Sequence, residues 1–525
     1  MPIRYVALRD SLRPGLISSP SGPLRTSADL MKVSLYLRDK PVSRIHVGRR
    51  NDLARLVAVH GQSSIAANRA KAFAEPLEAI RAFASRHSLE VGRVDLPARR
   101  IELSGTQQAM ETAFRTKHQI HEHSGRRYRV PTRPIRIPSQ LRRSLLAVLG
   151  LDERPQIVRS PRPSAFAGSG DGILPSNVAK LYGLTTGGTG AGQCIGLIQP
   201  AGGYLPTDVA ASCASMGIPV PNIKDFPVGT GSNSAGHDDD ADKEVALDLQ
   251  TAIAVAPSAR FVLYFTADTD AGLVDAITAA IHDSDNRPSV LVTSWGDAET
   301  RWSGAARDAM DAALADAARF RITVVAATGD MLATDGFMDG HAHVDYPASS
   351  PYVLACGGTA VSLSADRASV DQEQVWNDRM SGTGGGISDV YSIPDYQTAI
   401  NLPVSVNDGG RRRGVPDLAA AAAPDPGYRI QFRGNAVTMG GTSAVAPLFA
   451  GFLALINERR GSPMGLIHAP LYQSNGLFRP ITAGDNRPFG SKLGYDSKGS
   501  WSACTGLGAP IGAAIVNALV DYEPV

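Results

Sequence analysis

Four short apolar runs, Cys194 to Gln199, Arg260 to Phe265, Ser289 to Ser294 and Ile322 to Ala327, recur along the second part of the chain. Stretches of helical periodicity lie before and between them, at Lys243 to Val255, Gly272 to His282 and Ala305 to Ala318. Strands that are apolar on both faces are buried on both faces, so the pattern predicts a parallel sheet covered by helices. In such folds reacting groups gather at the carboxyl ends of the strands.

The first part of the chain has a different rhythm. Met31 to Arg38 alternates like a strand, Glu75 to His87 and Gln107 to Arg115 are helical, and Arg100 to Leu103 is a short strand. Arg127 to Ile137 reads as extended and Ser139 to Leu149 as a closing helix. Elements mixed in this way predict a compact α+β domain over 31–156. Residues 1–30 are expected to be a disordered extension. Residues 157–172, rich in Pro, Gly and Ser, read as an exposed and easily cut linker to a domain spanning 173–525.

The chain has 525 residues, 43% of them hydrophobic, enough for two large cores. No run of about 18 apolar residues is present, so no transmembrane helix is predicted. Met1 to Pro20 shows no secretory signal pattern. Four cysteines, Cys194, Cys213, Cys356 and Cys504, are too few and too scattered for a disulfide framework or a metal centre.

The net charge of +2 conceals a division. Residues 1–165 hold 30 Lys+Arg against 13 Asp+Glu, a net +17, which leaves −15 for the rest. Nucleic acid is not indicated, because the basic residues are scattered without a zinc or aromatic-basic motif. A basic segment joined to an acidic one binds it more simply. That attraction is expected to weaken as the acidic part protonates.

One stretch points to chemistry. Gly440-Gly441-Thr442-Ser443-Ala444-Val445-Ala446-Pro447 delivers a hydroxyl from a small-residue turn to the start of an apolar helix, Val445 to Leu455. This suits a nucleophile, and equally a plain helix cap. A nucleophile needs a base. None of the eleven histidines sits in a His-Gly-Thr setting. Carboxylates are the alternative: Glu244 and Asp248 are four apart on one face of an otherwise apolar helix. Two carboxyls buried together are costly unless they share a proton, and such a pair can serve as a general base. Asp330, after the strand Ile322 to Ala327, is the third. As a neutral acid it can donate a hydrogen bond to an oxyanion, which an ionised group would repel.

Around these residues the chain resembles the sedolisin family of serine-carboxyl peptidases, in the pro-form of the kumamolisin type. The resemblance runs from about Met31 to the C-terminus. It rests on Glu244 to Tyr264, Thr293-Ser294-Trp295-Gly296, Gly329-Asp330, Gly384-Gly385-Gly386, Arg413-Gly414-Val415-Pro416-Asp417 and Gly440 to Pro447. It implies a subtilisin-like α/β fold preceded by a ferredoxin-like inhibitory prodomain. It implies Ser443 as nucleophile, Glu244 as base, Asp248 as its partner and Asp330 as oxyanion donor, supported by Trp295, Gln199, Gly441 and Thr442. Family members are acid-acting endopeptidases made as zymogens. The implied partners are polypeptide substrates and the chain's own prodomain, with a monomer and a non-cytoplasmic, acidic setting expected. An inactive peptide-binding homologue is the alternative, against which all four reacting residues are retained.

Two departures are visible. The family binds one calcium ion near its C-terminus through two Asp side chains and backbone carbonyls. Here Pro480 and Ser502 stand at the Asp positions, so no metal is predicted, with Lys498 or local packing holding the segment unless Asp485 or Asp496 compensates. The other departure is Gln199, where the kumamolisin type has a Glu. Gln cannot titrate, so a shortened proton relay and an altered pH profile are expected.

Overall fold

The computed structural model describes residues 3–14, 30–39, 62–123, 126–157 and 171–522. The expected linker, residues 157–172, lies outside these residues except for Ile157, Asp171 and Gly172.

The first domain is a four-stranded antiparallel sheet in the order Glu90–Asp95, Arg100–Thr106, Leu30–Leu37, Leu145–Leu149. Helices Gln62–Ala72 and Ala74–Arg86 join its first two strands in sequence, and Gln107–Phe114 joins the last two. This βαββαβ order is the ferredoxin-like one. Its core gathers Leu35, Phe83, Ile101, Leu103, Met110 and Phe114.

Two expectations for this region are corrected. Ser139 to Leu149 is not a helix: Ser139–Leu141 forms a single 3-10 turn and Leu145–Leu149 is the fourth strand. A short apolar run carries no period of its own, and Leu30–Leu37 offered it an edge to pair with. Nor is the whole of 1–30 a disordered extension. Tyr5–Ala7 pairs with Arg136–Pro138, and the Arg13 guanidinium is buried, donating to the carbonyls of Pro155, Gln156 and Arg301.

The second domain is built on an eight-stranded sheet. Ile223–Pro227, Arg260–Phe265, Cys194–Gln199, Val290–Thr293, Thr323–Ala327 and Val353–Leu363 run parallel in that order. Leu418–Ala421 adds to the last in parallel, and only Val370–Val375 is antiparallel. One face is covered by the helices Asp239–Val255 and Thr442–Arg460, and the other by Asp270–Ile281 and Gly304–Arg319. The chain steps from Cys194–Gln199 outward to Ile223–Pro227, returns, and then crosses to Val290–Thr293. The strand order therefore switches direction beside Cys194–Gln199, where such sheets open a crevice. All four cysteines are buried free thiols. Among the described residues no helix is long and apolar enough to cross a membrane.

The first domain seats itself on the helices Asp270–Ile281 and Gly304–Arg319. Tyr36, Ala147 and Leu149 share a core with Leu273, Ile277 and Ala306. Two buried aspartates anchor the seat. Asp275 accepts from Ser34 (2.7 Å), Tyr36 (2.5 Å) and Arg100 (2.6 Å). Asp316 accepts from Arg69 through both oxygens (2.7 and 2.9 Å) and lies 3.0 Å from Arg99. The charge division seen in the sequence is thus concentrated at a few desolvated contacts.

Candidate active site

Helix Asp239–Val255 starts cleanly because the Asp238 side chain caps the Ala241 N–H at 3.0 Å and three further acids occupy its first turn. Its period puts Glu244 and Asp248 on one face, where they are 3% and 0% exposed. The apolar residues around them explain the burial. The pair is not a solvated face.

Helix Thr442–Arg460 starts at Gly441, whose φ of 129° is open to glycine alone. A Cβ there would stand 2.8 Å from the Asp330 carboxylate, so the glycine also makes room for that side chain. Thr442 then binds Asp330 twice, through its backbone N–H (2.8 Å) and its hydroxyl (2.7 Å) to Oδ1. Asp330 follows the strand Thr323–Ala327 and is 6% exposed, and its carbonyl accepts from Gly382 N–H. Ser443, one residue beyond Thr442, is thereby fixed beside it.

Pro447 lies inside this helix. Lacking an N–H, it cannot close the bond to the carbonyl four residues earlier, which belongs to Ser443. The Ser294 hydroxyl lies 3.4 Å from that freed carbonyl and donates at 2.6 Å to Asp248 Oδ1. With its one proton given to Asp248, this hydroxyl lies between the serine segment and the carboxylate helix. Ser294 was not among the residues singled out in the sequence, although it precedes Trp295 in a quoted motif. Its spacing carries no signal, because its partners are 46 and 149 residues away.

The other oxygen of Asp248 accepts from Gln199 Nε2 at 2.8 Å, and Gln199 Oε1 accepts from the Trp295 indole at 2.7 Å. Gln199 ends the strand Cys194–Gln199, Ser294 and Trp295 follow Val290–Thr293, and Asp330 follows Thr323–Ala327. These strands are neighbours in the sheet. The expected site residues thus lie at the carboxyl ends of three adjacent strands, along the middle of helix Asp239–Val255 and at the start of helix Thr442–Arg460. The arrangement offers a hydroxyl, a buried carboxyl pair and a third carboxyl bound to Thr442. Such a set suits acyl transfer without histidine. The Arg413 to Asp417 motif lies elsewhere. It is a fully buried ion pair (3.0 Å) in which Asp417 also accepts from Ala355 N–H, so it braces the sheet.

Known proteins share this organisation. Residues 228–466 match the Subtilase family, and residues 60–154 match the pro-kumamolisin activation domain. The chain is 38% identical to kumamolisin of Bacillus sp. (strain MN-32) over 516 residues, spanning 95% of this chain and 93% of that protein. It is 27% identical to tripeptidyl-peptidase 1 of Homo sapiens over 402 residues, 71% of this chain and 68% of that one. Sedolisin from Pseudomonas, a serine-carboxyl proteinase solved with two molecules of pseudo-iodotyrostatin, is similar in structure. Its TM-score is 0.59 at 26% identity, covering 67% of this chain and 98% of that one. With its own activation domain ahead of a subtilisin-like sheet, this chain belongs to the sedolisin family of serine-carboxyl peptidases, in the kumamolisin-like pro-form.

Proposed function

We propose that the protein is an acid-acting serine endopeptidase, made as a zymogen that matures by cutting its own linker. Ser443 Oγ attacks the scissile carbonyl and gives its proton to Glu244, which Asp248 orients. Asp330, as a neutral acid, donates to the oxyanion of the tetrahedral intermediate. Glu244 returns the proton to the leaving amine, and water hydrolyses the acyl-enzyme by the same steps in reverse order. The observation that supports this most is the placing of the serine segment: Thr442 donates twice to Asp330, and Ser294, which donates to Asp248, lies 3.4 Å from the Ser443 carbonyl. The family resemblance points to cuts within a chain, and the likeness to tripeptidyl-peptidase 1 makes release of tripeptides the rival outcome. The need for a proton on Asp330 sets the work in an acidic, non-cytoplasmic compartment.

The test is hydrolysis of a denatured protein between acid and neutral pH, with the cut sites mapped. Internal cuts, confined to acid and absent in Ser443→Ala, are expected. Release of tripeptides from the N-terminus alone would replace the endopeptidase reading.

We also propose that the C-terminal segment is held without calcium. The residues at the family's ligand positions do not fit that ion. Pro480 has no donor, and Ser502 is engaged with Thr505 (2.9 Å) and Ser497 (3.0 Å). The Ser497 hydroxyl donates at 2.5 Å to the Ile481 carbonyl beside Pro480. Asp496 pairs with Lys498 (2.9 Å) and Arg487, and Asp485 accepts from Asn377 and Arg487. Neutral hydroxyls already in mutual contact are poor ligands for a hard cation. A chelator is expected to leave the melting temperature unchanged, and added calcium not to raise it. A fall on chelation, restored by calcium, would overturn this.

A further inference from the structure

We propose that Gln199 is a positioning residue for the triad: a hydrogen-bond donor that does not itself titrate and that holds Asp248 as an acceptor. This rests on the triad reading given above.

Trp295 Nε1 can only donate, so the Gln199 atom 2.7 Å from it must be the amide oxygen. That contact settles the direction of the amide, and the NH2 end is turned to Asp248 Oδ2. Ser294 donates to Oδ1. Asp248 and Gln199 are both fully buried, so the protein supplies these donors in place of water. With both oxygens accepting, the charged form of Asp248 is favoured. An ionised Asp248 can then accept a hydrogen bond from Glu244 once Glu244 has taken the proton of Ser443.

The titratable groups facing this amide are Glu244 and Asp248 from the helix Asp239–Val255, with Asp330 on the far side of Thr442. The neighbouring strand contributes Phe265 in register and the Thr266 N–H, which donates to the Gln199 carbonyl. A carboxyl at 199 could reproduce both contacts only while protonated. Once ionised, it would set oxygen against oxygen at the Asp248 contact. Gln199 removes that ionisation. The relay then contains no further titrating group at this position.

The test compares Gln199→Leu and Gln199→Glu with the natural chain, each made at full length, matured in acid and assayed for kcat and KM across pH. Gln199→Leu leaves the indole and Asp248 each short of a buried partner and is expected to lower kcat roughly tenfold or more at every pH, with little change in KM. Gln199→Glu is expected to restore kcat to within about threefold at the acid end, then lose at least about tenfold relative to the natural chain toward neutral pH. A Gln199→Glu profile that follows the natural one at all pH values would overturn the proposal, and so would full activity in Gln199→Leu. If the Leu variant fails to fold, the Glu variant decides alone. Ser443→Ala, assayed in parallel, separates the two readings. An inactive Ala variant beside an unchanged Glu variant retires only the role of Gln199, whereas an active Ala variant retires the triad.

Discussion

Ser443→Ala is expected to lower kcat/KM by roughly 10⁴-fold or more and to leave the full-length chain uncut in acid. The change removes one buried oxygen and leaves the tethers of the segment in place, since Thr442 still binds Asp330 and the Ser443 carbonyl is a backbone group. The fold and the seat of the prodomain should therefore persist, and the loss be one of chemistry. Glu244→Gln is expected to cost a similar factor. The double variant should be little worse than either single one, because nucleophile and base act as a unit. The readouts are peptide hydrolysis and gel analysis of processing at low protein concentration. Processing of the Ala variant at the natural rate would show that another protease makes the cut.

Asp316→Ala is expected to weaken the seat of the prodomain by about 3–5 kcal/mol, roughly 10²–10⁴-fold in affinity. Asp316 is 0% exposed, and it holds Arg69 by both oxygens, with Arg99, Arg319 and His282 also within ion-pair distance. Its loss leaves two buried guanidinium groups of the prodomain to share the half-exposed Asp39. Arg69→Ala should cause much of the same loss, and the pair should be far from additive. After the linker is cut, the natural protein should keep its prodomain on a sizing column at neutral pH, and the variants should not. Co-elution of the prodomain with Asp316→Ala would show that the apolar seat suffices.

The pH dependence of this seat runs against the charge argument drawn from the sequence. Arg99, the hydrogen bond to His282 and Arg69 hold the Asp316 carboxyl well below the usual carboxylate range. Its contribution is therefore present above the ordinary carboxylate value and fades only as the pH falls through the depressed one. Burial, with Asp152 beside it, pushes Asp270 up to about 7, and burial raises Asp275. Where undocking returns these two to ordinary values, docking takes up protons between about pH 4 and 7, so their effect tightens the seat as the pH falls in that window. The dispersed attraction between the two halves does weaken in acid, but it acts through salt water and is screened. The cut complex is accordingly expected to hold at pH 5 and to release its prodomain only below about pH 4. Release between pH 7 and 5 would mean that the dispersed charge governs.

How much of this was legible in the sequence depended on distance along the chain. The i, i+4 spacing put Glu244 and Asp248 on one face, and the small-residue turn announced Ser443, because helix period and turn chemistry are local. Leu145–Leu149 was read as helix because five apolar residues fit either period. Tyr5–Ala7 and Arg13 were unreadable because their partners lie more than 120 residues away.

The sequence alone singled out the candidate reacting groups, the order of prodomain and sheet domain, and Pro480 and Ser502 as departures from the family pattern. Only the tertiary structure decided that Ser294 donates to Asp248 beside the carbonyl freed by Pro447, that the indole of Trp295 orients Gln199, and that Asp316 gathers the prodomain arginines. Each of these depends on which strands became neighbours and in what register. Register is set by the burial of whole faces, and no single stretch of chain contains it.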